Sequence, residues 1–406
     1  MKILAIAEHF PSPYKPYHNT QFEEFVAAGH ELTVAAFDRH AGPPGAPEDS
    51  APFVRNTRYL PGTLRDLPRF LPALVGRALR HPFASLRQAA RAMKYPDSLK
   101  RRLLNAWRAI LLPTTAPDFC IVHNLRAVMN VQFLKLIYPK AVVTMYYHGG
   151  ELPGVPLPTE AESRRAFRSV DIVFTNTEYS RRHAVSRGAD PQSVVISQVG
   201  FNLNAFPDPA DRNYRHDGRL NILMAGRVGE EKGFNYGLQA FKRLLDEDAC
   251  DAVLRIAGDG PKAAELRKFV EDNGLTERVH FLGRVDQDRL RVEYRNADVF
   301  LLPSIPRGVW EENQACVVQE ALLMRSICAV SRTGGVAEST APEMLGYSFD
   351  IADVTGMTDS LRRLSRLAVN DLKQLGAQGR GFVERRYDIR ALNREVLDIA
   401  LAHRRN

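Results

Sequence analysis

Cysteine is scarce in this chain. Its 406 residues hold four, Cys120, Cys250, Cys316 and Cys328, and none stands in C-x-x-C spacing or beside a histidine cluster. That scatter excludes a disulfide framework and a structural zinc module, and it suits a reducing compartment. Long apolar runs are missing too. Nothing approaches the roughly 18 uninterrupted apolar residues of a membrane span, and the opening stretch Met1–Ala7 meets Glu8 and His9 too soon for a signal-peptide core. The expected location is therefore the cytoplasm. Two glycine-built phosphate motifs are absent as well. The loop Phe10–Thr20 contains no glycine, so it is not a dinucleotide fingerprint, and Gly226–Gly233 lacks the G-x-x-x-x-G-K-[ST] order of a P-loop. No short-period repeat or low-complexity segment occurs.

Acidic residues are scarce in one region. From Arg55 to Arg108 thirteen lysines and arginines face only Asp66 and Asp97, in a chain of net charge +8. Phe70, Leu71, Leu74, Val75, Leu79, Phe83, Leu86, Leu103, Leu104, Trp107, Ile110 and Leu111 interleave with them at near-helical spacing. Such a segment lies on an anionic bilayer, or it packs its apolar side on the core with its arginines in water; the shortage of acidic partners favours the bilayer. Nucleic acid is not expected, because no aromatic-rich nucleic-acid module or zinc finger accompanies the charge.

What remains is ordinary: 45% hydrophobic and 25% charged residues, and enough length for two domains. Lys2–Ala7, Glu31–Phe37, Phe119–His123, Val142–Tyr147, Asp171–Asn176 and Val194–Gln198 read as strands of a first half. A helix is expected at Phe22–Gly29, and a Pro/Gly-rich loop at Gly42–Pro52. The polar stretch Asn202–Gly218 reads as a linker. Leu220–Ala225, Ala252–Ala257, Val279–Leu282, Val299–Leu302 and Ile327–Val330 read as strands of a second half, and the last helix spans about Ile389 to His403. The predicted fold is α/β, two successive doubly wound halves. The expected domains are 1–205, with a basic helical insert at about 60–112 and residues 389–406 packing back on it, and 206–388.

The most informative block runs from Pro303 to Glu338. Glu312 lies in a loop, and Glu320 lies on the helix predicted over Ala315–Met324, with Asn313 and Gln314 opening that helix. A helix start offers unpaired N–H groups and positive dipole to a diphosphate, while carboxylates hold sugar hydroxyls. The strand before the block and the Gly334-Gly335 turn after it complete a βαβ unit, whose ligands bind at the strands' carboxyl ends. Upstream, Gly226 lets backbone approach a ligand. Arg227 and Lys232, five apart at a strand-to-helix turn, can hold a diphosphate with a guanidinium fork and an ammonium.

Taken in order, Gly226-Arg227…Lys232-Gly233, Ala257-Gly258-Asp259-Gly260-Pro261, Val279-His280-Phe281-Leu282-Gly283, Ala297-Asp298…Pro303-Ser304 and Glu312-x7-Glu320-Ala321 resemble the motifs of retaining glycosyltransferases of family 4. The match covers the C-terminal half. Ala28–Val34, His148-Gly149-Gly150-Glu151 and Val199–Phe206 resemble the family more loosely. The resemblance implies the GT-B fold, two Rossmann-like domains facing a cleft, and transfer of a sugar from a UDP- or GDP-sugar to a glycan or lipid-linked glycan with retention. It implies that Arg227 and Lys232 bind the diphosphate, Glu320 the ribose, and Glu312 the donor sugar. Backbone around Arg284 and Val285 flanks the base, and His148 reaches the sugar from the other domain.

The chain departs from the family in two places. Asn313-Gln314-Ala315 stands where glycines and an aromatic are usual, so these residues face the donor with a stiffer loop. Tyr14–Asn19 replaces the common Gly-Gly loop, which points to a distinctive acceptor pocket; Glu8, His9 and His18 are candidates for its lining, although surface or loop roles suit them as well. Asp286-Gln287-Asp288 spells D-x-D, but its place before Arg289-Leu290 suits a helix cap. No cofactor and no essential metal are expected. The alternative is a non-catalytic nucleotide-sugar-binding subunit of a glycan assembly complex.

Overall fold

The computed structural model describes residues 1–12, 16–39, 51–149, 155–248 and 250–405. Tyr14, Lys15, Gly150, Glu151 and most of the Gly42–Pro52 loop lie outside them. The chain divides into two compact units: residues 1–149, 157–201 and 389–406 form one, and 150–156 with 202–388 form the other.

The first unit is built on a seven-stranded sheet. Its strands are β1 (Lys2–His9), β2 (Glu31–Asp38), β3 (Arg58–Tyr59), β4 (Phe119–His123), β5 (Val142–Tyr147), β6 (Ile172–Thr175) and β7 (Val194–Ile196), in the order β3-β2-β1-β4-β5-β6-β7. All pairings are parallel; Ala5, for example, lies between Val34 and Ile121. The central strands are apolar runs buried on both faces, as helix-covered parallel strands require. The second unit carries a five-stranded parallel sheet: β8 (Leu220–Ala225), β9 (Ala252–Ala257), β10 (Val279–Gly283), β11 (Val299–Leu302) and β12 (Ile327–Val330), in the order β10-β9-β8-β11-β12. In each sheet the chain grows outward on one side and then restarts on the other. The two switch points fall between β1 and β4 and between β8 and β11.

Three expectations need correction. The first helix is Pro16–Ala27, six residues earlier than Phe22, because proline is well placed in a first turn whose N–H groups need no partner. The two-residue edge strand β3 is too short to leave a periodic signal. The polar stretch Asn202–Gly218 is a strap rather than a loose linker. Arg212 and Tyr214 are buried, Arg212 donates to the carbonyls of Met324 at 2.9 Å and Ala297 at 2.8 Å, and the Arg215 amide donates to Asp298 Oδ1 at 2.8 Å.

The last helix, Ile389–Arg405, belongs to the first unit. It buries Val396, Leu397 and Ala400 in the core around Ile3 and Phe22, and Asn393 exchanges hydrogen bonds with Gln21. Gly200 admits it closely: a Cβ there would meet Ile389 Cα at 2.7 Å.

The basic insert folds as three helices packed on one another, Leu67–Arg80, Pro82–Ala92 and Leu99–Leu111. Its side chains divide into two populations. Phe70, Leu74, Leu104 and Leu111 are core, and several arginines are structural. Arg108 is 3% exposed and donates to the carbonyls of Pro61, Gly62 and Asn130; burial lowers its pKa to about 9, so it stays cationic at neutral pH. Arg77 holds the carbonyls of Ile110 and Leu112. Leu79, Phe83, Leu86 and Leu99 instead stand in solvent at 77%, 82%, 72% and 66% exposure.

Candidate active site

In the second unit the predicted donor residues gather at the carboxyl ends of β8, β11 and β12, on the switch point where open α/β sheets bind ligands. β8 runs into Gly226, whose φ is 143°; a Cβ at that position would lie 3.5 Å from Lys232 Cε. That distance is ordinary contact, so it is the positive φ that favours glycine, and Lys232 packs across the strand end. Lys232 Nζ meets Glu312 Oε2 at 2.5 Å, both side chains being largely buried, and Ser304 Oγ donates to the same oxygen at 3.2 Å. Ser304 follows β11, so one carboxylate joins the loops after two adjacent strands.

Arg227 is exposed, and its Nη2 meets the buried Glu231 Oε1 at 2.5 Å. Half of the guanidinium fork is therefore oriented by protein, and the rest faces solvent. Glu311, next to Glu312, escaped the sequence reading. Its Oε2 accepts from the Gly334 amide at 2.7 Å and from Thr333 Oγ1 at 3.0 Å. The Gly335 amide donates to the Glu312 carbonyl at 2.9 Å. Gly334, at φ 50°, has no room for a side chain, because a Cβ would stand 2.0 Å from that carbonyl. The Gly-Gly turn thus fixes the backbone that carries Glu312. The nearest sequence signal was the pair Glu311-Glu312 itself, whose members cannot be ranked without the fold.

The helix after this loop is Cys316–Leu323, and it opens differently from the expectation. Ala315, not Asn313 or Gln314, occupies the cap position, and no side chain caps the helix. The first amides turn inward instead: Ala315 N donates to Ser339 Oγ at 3.3 Å, Cys316 N to the Gln314 carbonyl at 3.0 Å, and Val318 N to the Ala315 carbonyl at 2.8 Å. Asn313 and Gln314 are half-buried in the preceding loop.

Glu320, one turn into the helix, is 9% exposed and accepts from Tyr294 Oη at 3.1 Å. Burial pushes its pKa up to about 7, only partly offset by that bond and by Arg291. Arg284 is exposed and Val285 half-buried, in the turn between β10 and the helix Gln287–Asn296. The D-x-D carboxylates are structural: Asp286 caps that helix through the Arg289 amide at 2.7 Å, and Asp288 pairs with Arg291.

In the first unit the corresponding switch point holds imidazoles. His18 on the first helix, His123 at the end of β4 and His148 just past β5 bring ring nitrogens within 4.8 Å of one another. His148 Nδ1 lies 2.9 Å from Asn176 Oδ1, and the Asn176 amide nitrogen donates to the Ser197 carbonyl at 3.3 Å. That second bond orients the amide with Oδ1 towards the ring, so Nδ1 of His148 carries a proton. His123 Nδ1 lies 3.3 Å from His148 Nε2. His123 also lies parallel to Tyr146, with centroids 5.4 Å apart. Three imidazoles at this spacing could also ligate a transition metal; among the described residues no other such cluster occurs. Glu8 and His9 are half-buried, and His9 Nε2 lies 3.9 Å from Glu8 Oε1. Only His18 of these three joins the cluster.

Two parallel doubly wound units, each with its own switch point, have the GT-B architecture. HepE of Anabaena, solved in complex with UDP-glucose, superposes with a TM-score of 0.70 over 99% of this chain and 100% of that one, at 13% identity. Residues 210–382 match the family described as glycosyl transferases group 1. Among curated relatives, WcaL of Salmonella typhimurium, whose name carries a provisional assignment to colanic acid biosynthesis, is 21% identical over 98% of this chain and 99% of that one. The amylovoran biosynthesis glycosyltransferase AmsK of Erwinia amylovora is 22% identical over 90% of this chain and 91% of that one.

Proposed function

We propose that this glycosyltransferase moves a hexose-type sugar, with retention, from a UDP- or GDP-sugar to a glycan or lipid-linked glycan in polysaccharide or glycoconjugate biosynthesis. The observation that carries the reading is the Lys232–Glu312–Ser304 network on the β8/β11 switch point. A diphosphate arriving there meets an ammonium and the open side of the Arg227 fork. Lys232, once the diphosphate displaces Glu312, and the open side of Arg227 supply the positive charge that a departing diphosphate needs, so no metal is required for that step. Glu312, released from Lys232 as phosphate takes the ammonium, accepts hydroxyls of the donor sugar. Glu320 accepts the ribose hydroxyls, and the backbone at Arg284 and Val285 flanks the base. Asn313, Gln314 and Ala315 line the sugar's loop, and His148 contacts the transferred sugar. In front-face transfer the leaving phosphate takes the acceptor's proton, which fits a site in which Glu312 is engaged by the donor's hydroxyls rather than serving as a base.

The names of WcaL and AmsK support an exopolysaccharide as product, and the HepE complex supports a uridine nucleotide. The basic insert supports work at the inner face of a membrane; among the described residues no helix is long and apolar enough to cross one.

A thermal-shift screen over UDP, GDP, ADP and their sugars identifies the donor, since a bound ligand raises stability by mass action. Transfer or donor hydrolysis by the wild type that disappears in Glu312→Ala is the expected result. Equal background rates in both proteins would establish a binding subunit instead. Full activity after EDTA is expected; loss restored by manganese or zinc would overturn metal independence and would point to the three imidazoles.

A further inference from the structure

One recess of the first unit is lined by none of the candidate site residues named above. It is a surface pocket of about 860 Å³ between the turn Met93–Ser98 of the basic insert, the segment Gln132–Leu136 and the helix Glu160–Phe167. Five cationic side chains line it, Lys94, Lys135, Arg164, Arg165 and Arg168, against the one carboxylate of Glu160. Two of the five are neutralised by protein, Lys135 by Asp171 and Arg164 by Glu160. Among the described residues no carboxylate lies within ion-pair distance of Lys94, Arg165 or Arg168. Tyr95 forms part of the wall, and its hydroxyl lies within the fields of Arg165, Asp97 and Arg101. A concave site with three uncompensated cations suits a phosphate group, which takes guanidinium forks and an ammonium together.

The surroundings identify the phosphate's source. The turn that forms one wall is flanked by helices carrying Phe83, Leu86 and Leu99, three large apolar residues standing mostly in water. A soluble phosphate compound has no use for them. A bilayer uses both features, since headgroup phosphates sit just outside the depth that interfacial leucine and phenylalanine reach.

We infer that this pocket binds the headgroup phosphate of an anionic phospholipid, with Lys94, Arg165 and Arg168 on the phosphate and Phe83, Leu86 and Leu99 in the acyl boundary. The inference rests on the membrane location proposed above and narrows it to one site. It also assigns part of the anchor to the helix Glu160–Phe167, outside the basic insert.

The test is sedimentation of the full chain with phosphatidylcholine vesicles, with and without phosphatidylglycerol, at low salt and at roughly 1 M salt, where screening acts within about 3 Å. The wild type is expected to sediment with the anionic vesicles at low salt only. Arg165→Ser with Arg168→Ser should weaken that partitioning roughly thirty-fold, two surface cations' worth, with the nucleotide thermal shift unchanged. Phe83→Ser with Leu86→Ser should weaken it while leaving the salt dependence. A wild type that stays unbound overturns the membrane location and the pocket together. A double arginine variant that binds like the wild type overturns the pocket alone. Glycerol phosphate protecting the wild type but not that variant, without vesicle binding, would establish a soluble anion site and overturn the lipid assignment.

Discussion

The two units answer one topology with opposite chemistry. Each is a parallel sheet with a switch point, and each gathers polar side chains there. In the second unit they are ions joined in pairs, Lys232 with Glu312 and Arg227 with Glu231. In the first they are imidazoles and an amide joined by hydrogen bonds, His123 to His148 to Asn176. The difference teaches where transfer is driven. In the proposed reaction, charge that develops on a leaving diphosphate would be met by fixed opposite charge, whereas a sugar or acceptor hydroxyl would be met by imidazole and amide donors and acceptors.

The comparison breaks most readily at Lys232. Lys232→Met is expected to lower kcat by roughly 10²–10³-fold, the scale of losing one group that stabilises transition-state charge, and to leave Glu312 without its partner. Steady-state transfer with saturating donor measures it. A change of less than about threefold would remove the ion-pair network from the mechanism.

The basic insert of the first unit is expected to be sensitive in stability rather than rate. Arg108→Met strands the carbonyls of Pro61, Gly62 and Asn130, at a cost of roughly 3 kcal/mol. Calorimetry should show the melting temperature falling by roughly 6–12 °C, with kcat retained at low temperature.

Glu320 sharpens the contrast through pH. Its folded pKa is raised from 4.5 to about 7, so the folded state holds a proton that the unfolded state has released. The associated stability is full below pH 4.5 and is lost as pH rises towards 7. Glu320→Gln should therefore be more stable than the wild type at pH 8, by up to about 3 kcal/mol, and equal to it at pH 4. If the ionised carboxylate holds ribose, donor affinity of the wild type rises as pH passes 7 and that of Glu320→Gln stays flat. Titration calorimetry across that range decides the point.

The smallest effect belongs to Asn176. Asn176→Ala frees the His148 tautomer at a cost of about 1 kcal/mol. A fall in kcat/KM of roughly fivefold is expected, without a change in melting temperature as large as that of Arg108→Met. An unchanged pH profile together with unchanged kcat/KM would make the imidazole chain purely structural.

Much of the second unit was legible because its site is local. Gly226 to Lys232 is one turn, and Glu312 to Glu320 is one loop and helix. The strand limits of β8, β9, β11 and β12 follow from apolar runs bounded by glycine and proline. The first unit was less legible, since His18, His123 and His148 lie on three segments that only the sheet order brings together. Asn202–Gly218 misled for a related reason: Arg212 looks solvated in sequence and is buried against carbonyls supplied from Ala297 and Met324.

By itself the sequence determined the two-unit α/β class, the parallel strands and the cationic character of the turn after β8. Those features are set by periodicity, punctuation and residue type within short windows. Tertiary structure alone decided that Lys232 meets Glu312 across eighty positions, that Asn176 sets the proton of His148, and that the insert's arginines divide between core and surface. Each depends on distances between segments remote in the chain, and hydrogen bonds and ion pairs act only at such contact distances.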